Sequence, residues 1–260
     1  MRDLRVTVCQ VDIEWQSKKA NLKRYAELIA GLRGETDLVI FPETFTTGFS
    51  MDSPELAEEM SGSTVVWMKE QASKLNTSIL GSFLCRDGKK LHNRFVWAHP
   101  DGKVEFYDKR HLFSFGNEDR HFTAGSEKKI IEALGWKFLP QVCYDLRFPV
   151  FSRNTLKNRY DMLIYVANWP EARATAWQSL LVARAHENQC YVIGVNRVGM
   201  DGIGVNCKGD SVVISPKGEI LAQFDDKERL QTVVLDLEFL YDFRAKFRPL
   251  DDADEFELKL

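Results

Sequence analysis

The chain alternates short apolar runs with amphipathic stretches from one end to the other, and this pattern restricts its fold more than any other feature. "LRVTVCQVDI" has the spacing of a strand, and "SKKANLKRYAELIAGLRG" has the spacing of a helix, with Ser17 as a plausible N-cap and Gly34 as its end. "TDLVIFPETF" predicts a strand whose apolar run, Leu38 to Phe41, is continuous, which is typical of a sheet covered on both faces. Interleaved signals of this kind indicate an α/β fold.

The rest of the chain continues the alternation. Helices are predicted near residues 62–75, after Pro149, and from about Glu171 to Asn188. Strands are predicted for "TSILGSFLCR", "LHNRFVWAHP", "KVEFYDKR", "KFLPQVCYD", "YDMLIYVAN", "CYVIGVNRV", "DSVVISPKGEILAQF" with a hairpin turn at Pro216 to Gly218, and "LQTVVLDL". These strands outnumber what one sheet usually holds, so we expect two sheets packed face to face with helices outside. With no linker or repeat in view, residues 1–260 are expected to form a single domain.

Composition and charge narrow the class of partner. The net charge of -3 gives no general attraction to nucleic acid or to an anionic membrane, so a small molecule is the expected partner. The start, "MRDLRVTVCQVDI", lacks the long apolar region of a signal peptide, and no run approaches the roughly 18 apolar residues of a membrane span. The expected location is the cytoplasm.

The five cysteines are odd in number, widely separated and never paired as CxxC, which argues against a disulfide framework or a zinc site. No His, Asp or Glu cluster has metal-ligand spacing, and "GVNRVGMDGIG" lacks the strand-to-helix GxGxxG order of a dinucleotide site. We therefore expect reduced thiols, no metal and no cofactor.

Three residues with reactive side chains come where predicted strands end. Glu43 follows the strand "DLVIF" through Pro42, Lys109 ends "VEFYDK", and Cys143 ends "KFLPQVC". Loops at strand ends expose side chains while the scaffold fixes the backbone. Taken singly, each has an ordinary interpretation: an exposed carboxylate, an exposed lysine and an inert core thiol.

Taken together, their contexts resemble the nitrilase, or carbon-nitrogen hydrolase, superfamily. "DLVIFPETF", "YDKRHLF" and "VCYDLRFP" occur in the order of the family's three signatures, and the resemblance extends from "VTVCQVDI" to "FRAKFRP". It implies a four-layer αββα sandwich and a Glu-Lys-Cys triad, here Glu43, Lys109 and Cys143. It also implies a second glutamate, for which Glu118 fits by its distance to Gly125.

The chemistry suits these residue types. A thiol with a pKa of about 8.5 is mostly protonated at neutral pH, so Cys143 needs a base such as Glu43 or a cation such as Lys109. After attack on an amide carbonyl, the ammonium of Lys109 and, by resemblance, the backbone N-H of Tyr144 are expected to stabilise the oxyanion. Water then hydrolyses the thioester. Glu118 is expected to orient Lys109 or the substrate amide.

A second segment, "VANWPEARATAWQSLLVARAHENQCYVIGVNRVGMDG", is similar to the omega-amidase branch, which hydrolyses the terminal amide of 2-oxoglutaramate or 2-oxosuccinamate. A substrate that ends in a carboxylate needs a facing cation or amide donor. The candidates are Arg147, Arg173 and Arg153, with aromatic walls from Phe45, Phe115, Trp169 and Trp177. Structural interpretations stay open: Arg147 could pair with Asp145, Arg173 could be solvated, and Trp177 could be core.

Three other interpretations remain. One is another amidase of the superfamily, acting on N-carbamoyl or aliphatic amides, and another is a catalytically silent binding module. The third is a papain-type Cys-His hydrolase using His111 or His121, although no local signature of that class is present. Finally, "ARAHENQCYVIG" belongs to a helix expected to bury Leu180, Leu181 and Ala185, and the resemblance implies that such helices join two copies into a homodimer or a higher oligomer.

Overall fold

The computed structural model describes residues 3–259 and contains two six-stranded sheets. Strands are numbered in chain order. The first sheet contains β1 (Leu4–Gln10), β2 (Leu38–Ile40), β3 (Ser78–Asp87), β4 (Lys90–Ala98), β5 (Val104–Asp108) and β14 (Arg229–Leu235), in the order β14-β1-β2-β3-β4-β5. The second contains β6 (Ile131–Ala133), β7 (Trp136–Val142), β8 (Met162–Ala167), β9 (Tyr191–Asn196), β12 (Val212–Ile214) and β13 (Ile220–Gln223), in the order β13-β12-β9-β8-β7-β6. A separate ribbon pairs β10 (Val198–Met200) with β11 (Asn206–Lys208).

The two sheets share one pairing plan. Three central strands are parallel in each, β1, β2 and β3 in the first and β7, β8 and β9 in the second, while the flanking strands pair antiparallel. Parallel strands need both faces covered, which agrees with their continuous apolar sequences.

Side-chain alternation divides the core into three seams. In β2, Leu38 and Ile40 point between the sheets, whereas Val39 points away from the second sheet. In β8, Ile164 points between the sheets and Leu163 points to the opposite side. Apolar residues therefore fill one seam between the sheets and one seam beneath the helices on each outer face. The predicted α/β fold and four-layer αββα sandwich are confirmed.

The helices of the described chain are α1 (Lys18–Leu28), α2 (Ser53–Leu56), α3 (Ser63–Leu75), α4 (Glu118–His121), α5 (Pro149–Ser152), α6 (Ala174–Asn188) and α7 (Leu237–Lys246). None of them is long and apolar enough to cross a membrane. The outer helices α1 and α3 cover the first sheet and α6 covers the second.

Several boundaries differ from the sequence prediction. The first helix ends at Leu28, and a separate 3-10 turn covers Ala30–Leu32, so Gly34 comes after the helical segment rather than directly ending it. Ser17 precedes the helix, but its side chain makes no capping hydrogen bond. Likewise, α6 starts only at Ala174, after a 3-10 turn, and α7 was not predicted.

Candidate active site

The parallel strands bring the predicted reactive residues to one place. Glu43 follows β2 in the first sheet, and Cys143 follows β7 in the second. Lys109 comes directly after β5, and Asn168 directly after β8. Glu43, Lys109, Cys143 and Asn168 line one cavity of about 760 Å³. The carboxyl ends of the strands thus form its floor, as is general for ligand sites in α/β sheets.

Two glutamates flank one lysine in a fully buried cluster. The Nζ of Lys109 lies 2.9 Å from Oε1 of Glu43, and 3.0 Å from Oε1 and 2.9 Å from Oε2 of Glu118. Oε2 of Glu43 accepts the backbone N-H of Asn168 at 2.8 Å. Oε2 of Glu118 accepts the backbone N-H of Phe113 at 2.6 Å. Every carboxylate oxygen therefore has a donor, as a buried ion cluster requires.

The loop that carries Glu118 is held against Lys109 by Gly125. The N-H of Gly125 donates to the backbone carbonyl of Lys109 at 2.9 Å. A Cβ at this glycine would lie 2.1 Å from the carbonyl oxygen of Asp108, so only glycine permits this close approach. The structure therefore places Glu118 beside Lys109, where it was predicted.

Cys143 occupies a strained turn. Its φ of 44° lies in the left-handed region, which non-glycine residues seldom adopt. The turn is fixed by Asp145, whose buried carboxylate accepts the N-H of Val142 at 2.9 Å and the hydroxyl of Tyr107 at 2.8 Å. His111 also lies against this carboxylate, with Nδ1 2.8 Å from Oδ1. These contacts hold Cys143 at the cavity floor with its side chain partly exposed.

Electrostatics keep the resting thiol protonated. Burial raises the pKa of Cys143 well above its ordinary value, and the adjacent Glu43 carboxylate raises it further, while Lys109 lowers it. The pKa of Lys109 is raised: burial lowers it, but Glu118 and Glu43 outweigh that effect. Burial also raises the pKa of Glu118, against the opposing influence of Lys109. Lys109 is therefore an ammonium, and Cys143 needs a base to become a nucleophile.

The cavity mouth differs in character from its floor. The ring of Phe49 lies near the floor, 5.2 Å from Nζ of Lys109. Most of the mouth is lined by Trp15, Met51, Phe115, Trp169 and Ile203, with the Tyr144 ring packed edge-on against Phe113. The carboxylates of Asp52 and Asp201 also line the cavity, and both accept hydrogen bonds from the chain, Asp52 from Gln16 and Asp201 from the N-H groups of Ile203 and Val205. Phe115 and Ile203 are 79% and 73% exposed and form its rim. An apolar pocket with a few polar groups is the usual form of a small-molecule site.

Two predicted arginines lie in this mouth. The Arg147 guanidinium lies 5.1 Å from the centre of the Trp169 ring. The Arg173 guanidinium lies 5.4 Å and 5.2 Å from the ring centres of Phe113 and Phe115. Both arginines line the cavity, and among the described residues neither forms an ion pair with a carboxylate of the chain. The alternative pairing of Arg147 with Asp145 is not present, because Asp145 binds Tyr107, His111 and Val142 instead.

Three other predicted contacts are absent from the cavity. Phe45 was expected in the wall, but its ring is fully buried in the outer seam of the first sheet, stacked on Phe41 over Gly81. That prediction is wrong, because the chain turns at Thr44, whose φ of 43° is left-handed, and the turn directs the Phe45 ring into the core while Glu43 faces the cavity. Arg153 pairs with Glu187 at 3.7 Å, away from the cavity. Trp177 is a fully buried core residue, which agrees with the alternative that it packs in the core, and its Nε1-H donates to the carbonyl of Asp210.

Some residues of the site were not predicted from the sequence. Asn93, on β4, donates to Glu43 and Glu118, and no strand-end signal identifies it because it lies within a strand. Cys207 was expected to be a core or incidental thiol, yet it lines the cavity from β11 while remaining 3% exposed. Cys9, Cys85 and Cys190 are buried. No group of three or more metal-ligating side chains occurs in the part of the chain that the structure describes.

His111 and His121 can now be compared with the papain-type alternative. The His111 ring stacks on Phe148, with centres 3.8 Å apart, and binds Asp145 instead of Cys143. His121 is exposed at the end of α4. Neither residue lines the cavity. The group beside the thiol is Glu43, and this arrangement does not fit a Cys-His pair.

The fold and the cluster of Glu43, Lys109, Glu118 and Cys143 define a class of protein. The carbon-nitrogen hydrolase family profile matches residues 5–245, and the chain belongs to that family. It is a hydrolase that acts on amide C-N bonds.

Particular relatives agree with the predicted branch. The omega-amidase YafV of Escherichia coli K12 is 45% identical over 260 residues, which cover 99% of this chain and all of the relative. The 2-oxoglutaramate amidase of Bacillus subtilis is 32% identical, covering 95% and 96% of the two chains. Among solved structures, XC1258 from Xanthomonas campestris, described with an arsenic adduct in its active site, has a TM-score of 0.97 at 45% identity and covers 99% of this chain and all of its own. The resemblance to the omega-amidase branch is confirmed.

Proposed function

We propose that the protein is an omega-amidase, which releases ammonia from the terminal amide of a small 2-oxo acid amide such as 2-oxoglutaramate or 2-oxosuccinamate. The observation that carries the proposal is a single cavity with Cys143 on its floor and the cations Arg147 and Arg173 in its mouth. A short substrate with an amide at one end and a carboxylate at the other matches this polarity.

In the proposed reaction, Glu43 accepts the proton of Cys143 as the sulfur attacks the amide carbon. The carbonyl oxygen becomes negative, and the ammonium of Lys109 and the backbone N-H of Tyr144 stabilise it, each such donor contributing about 3 kcal/mol. Glu43 returns the proton to the departing nitrogen, so ammonia leaves and a thioester remains. Water, deprotonated by the same carboxylate, then releases the acid and regenerates the thiol.

The cluster geometry supports these roles. Oε1 of Glu43 is engaged by Lys109 and Asn93, and Oε2 is fixed by the N-H of Asn168, so the base is oriented before substrate arrives. Such preorganisation avoids the cost of reorienting dipoles during reaction. Glu118, fully buried on Lys109, holds that ammonium in place and balances its charge.

The mouth supports the choice of substrate. The guanidinium of Arg147 rests on Trp169 and that of Arg173 on Phe113 and Phe115, so both are oriented without using their hydrogen-bond donors on a carboxylate of the chain. Arginine donors in this state suit bidentate binding of a substrate carboxylate. The aromatic walls suit the short methylene chain between the two ends.

A substrate panel with ammonia detection tests the proposal, with the wild type and Cys143→Ala run together. We expect the 2-oxo acid amides to be hydrolysed fastest, with glutamine and butanamide as matched controls that lack the 2-oxo group or the carboxylate. Faster release from N-carbamoyl or simple aliphatic amides would contradict it. Ammonia release by Cys143→Ala at a rate well above roughly 10⁻⁴ of the wild-type rate would contradict the thioester route.

The assembly and location are also part of the proposal. We expect a homodimer joined through the outer face of the second sheet, where Val150 and Leu156 are 54% and 59% exposed near α6. Light scattering at micromolar concentration tests this, and a monomer would contradict it. The five cysteines are all unpaired, which supports a reducing compartment such as the cytoplasm.

A further inference from the structure

Asn93 lies where the two buried carboxylates meet. Its Nδ2 donates to Oε1 of Glu43 at 2.7 Å and to Oε1 of Glu118 at 3.2 Å. Lys109 binds the same two oxygens from its Nζ. Two nitrogen donors and two carboxylate oxygens therefore alternate in a closed ring, and both side-chain hydrogens of the Asn93 amide are used.

The orientation of the Asn93 amide is fixed by Ser82. The hydroxyl oxygen of Ser82 accepts the backbone N-H of Thr44 at 2.9 Å, so the hydroxyl hydrogen is left to donate elsewhere. It donates to Oδ1 of Asn93 at 2.9 Å. Because Oδ1 faces Ser82, Nδ2 has to face the carboxylates. The amide therefore has one orientation in which all its groups are satisfied.

The charges of the ring explain why a neutral donor is needed. Glu43, Glu118 and Lys109 are all buried, and two carboxylates against one ammonium leave a net negative charge away from water. Two close carboxylates tend to share a proton, and a protonated Glu43 is no longer a base. A second cation would neutralise the pair but weaken Glu43 as a base, whereas an amide stabilises both anions without adding charge.

We infer that Asn93 is a positioning residue, which, held by Ser82, keeps the carboxylates of Glu43 and Glu118 ionised side by side so that Glu43 accepts the thiol proton. This inference rests on the proposed function for the role of Glu43. The titratable groups around the ring are Lys109, Cys143 and Cys207. Burial raises the pKa of both thiols, and the Glu43 carboxylate adds to the rise in each.

The test compares Asn93→Asp with Asn93→Ala. Aspartate has the same shape but replaces the donor with a third carboxylate, whereas alanine only removes the donor and leaves space for water. We expect the acid limb of the pH profile of kcat/KM to move to higher pH in both variants, by about one unit or more in Asn93→Asp. At neutral pH, kcat falls roughly 10–100-fold, and KM changes little because Asn93 does not line the cavity.

A merely structural role predicts the opposite order, because the isosteric Asn93→Asp would then be the milder variant. An unchanged acid limb in folded Asn93→Asp would also overturn the inference. If Asn93→Asp does not fold, Ser82→Ala tests the inference instead. It removes the hydroxyl that orients the Asn93 amide and leaves both carboxylates unchanged. We expect a smaller shift of the acid limb in the same direction, and no shift in both Ser82→Ala and Asn93→Ala would refute the role.

The matched control is Asn154→Asp. Asn154 is another buried asparagine, satisfied by the carbonyl groups of Tyr160 and Asn188 far from the cluster. Its substitution is expected to lower the melting temperature without moving the acid limb.

A second readout separates this inference from the substrate assignment. Alkylation of Cys143 by iodoacetamide can be followed without any substrate. Its rate also falls at low pH, and we expect the carboxylate pair to set the pH at which this acid limb occurs. If no 2-oxo acid amide is hydrolysed but this limb moves in Asn93→Asp, the proposed substrate fails and the positioning role stands. If the amides are hydrolysed and neither limb moves, only the positioning role fails.

Discussion

The floor and the mouth of the cavity differ in how far their polar groups are already satisfied. On the floor, Glu43, Lys109 and Glu118 are fully buried, and each charged atom has partners within the chain. In the mouth, Arg147 and Arg173 rest on aromatic rings and form no ion pair with a carboxylate among the described residues. Where every charged group has a partner, the side chains are held in the orientation that a reaction needs. Arginine donors that are not used on a carboxylate of the chain can instead bind a ligand. In the proposed function, bond cleavage therefore belongs to the floor and substrate choice to the mouth.

The largest expected effect comes from removing the proposed nucleophile on the floor. Cys143→Ala should lower kcat by roughly 10⁴-fold, because no other group in the cluster replaces the thiolate. Product binding in the mouth should persist, and isothermal calorimetry with the 2-oxo diacid checks it. Loss of that binding would mean that floor and mouth do not act separately.

The next variant tests whether the floor depends on charge balance. Lys109→Met should lower kcat by roughly 10³-fold, because the oxyanion loses a donor. It should also lower the free energy of unfolding by about 3–5 kcal/mol, because both buried carboxylates lose the ammonium that pairs with them. Urea unfolding followed by circular dichroism measures the loss. Equal stability of variant and wild type would show that the cluster is solvated.

Within the mouth, Arg147→Met should raise KM for carboxylated amides roughly 10–100-fold, since a hydrogen-bonded charge contributes about 1.5–3 kcal/mol. We expect kcat to change little, and KM for butanamide to stay the same. Arg153→Met is the matched control, because that arginine pairs with Glu187 outside the cavity. An equal effect on butanamide would show that Arg147 only braces the loop after Cys143.

The smallest effect is expected at the rim. Phe115→Ala removes an exposed ring beside Arg173. It should raise KM about 2–5-fold, because an exposed cation–π contact contributes about 0.5–1 kcal/mol. Ile203→Ala is the control in the same steady-state assay, because Ile203 is also an exposed apolar residue of the rim but has no ring to pack against an arginine. Equal effects of the two substitutions would indicate a purely apolar rim.

The sequence by itself determined the layers and the principal candidate residues of the site. Period-two alternation and continuous apolar runs place Leu38 and Ile40 in a covered sheet, because burial imposes those periods on any strand. Glu43, Lys109 and Cys143 follow strands in contexts that resemble one family, and the structure brings all three to one cavity.

Only the tertiary structure decided which side chains turn toward that cavity. Phe45 was expected in the wall but lies in the core, and Asn93 sits within a strand that carries no local sign of a site. Arg147 and Arg153 are both near Cys143 in the sequence, yet only Arg147 faces the cavity. The reason is physical: strand periods fix the face of a sheet, but the direction of a loop side chain and the partner of a buried amide depend on contacts between distant segments.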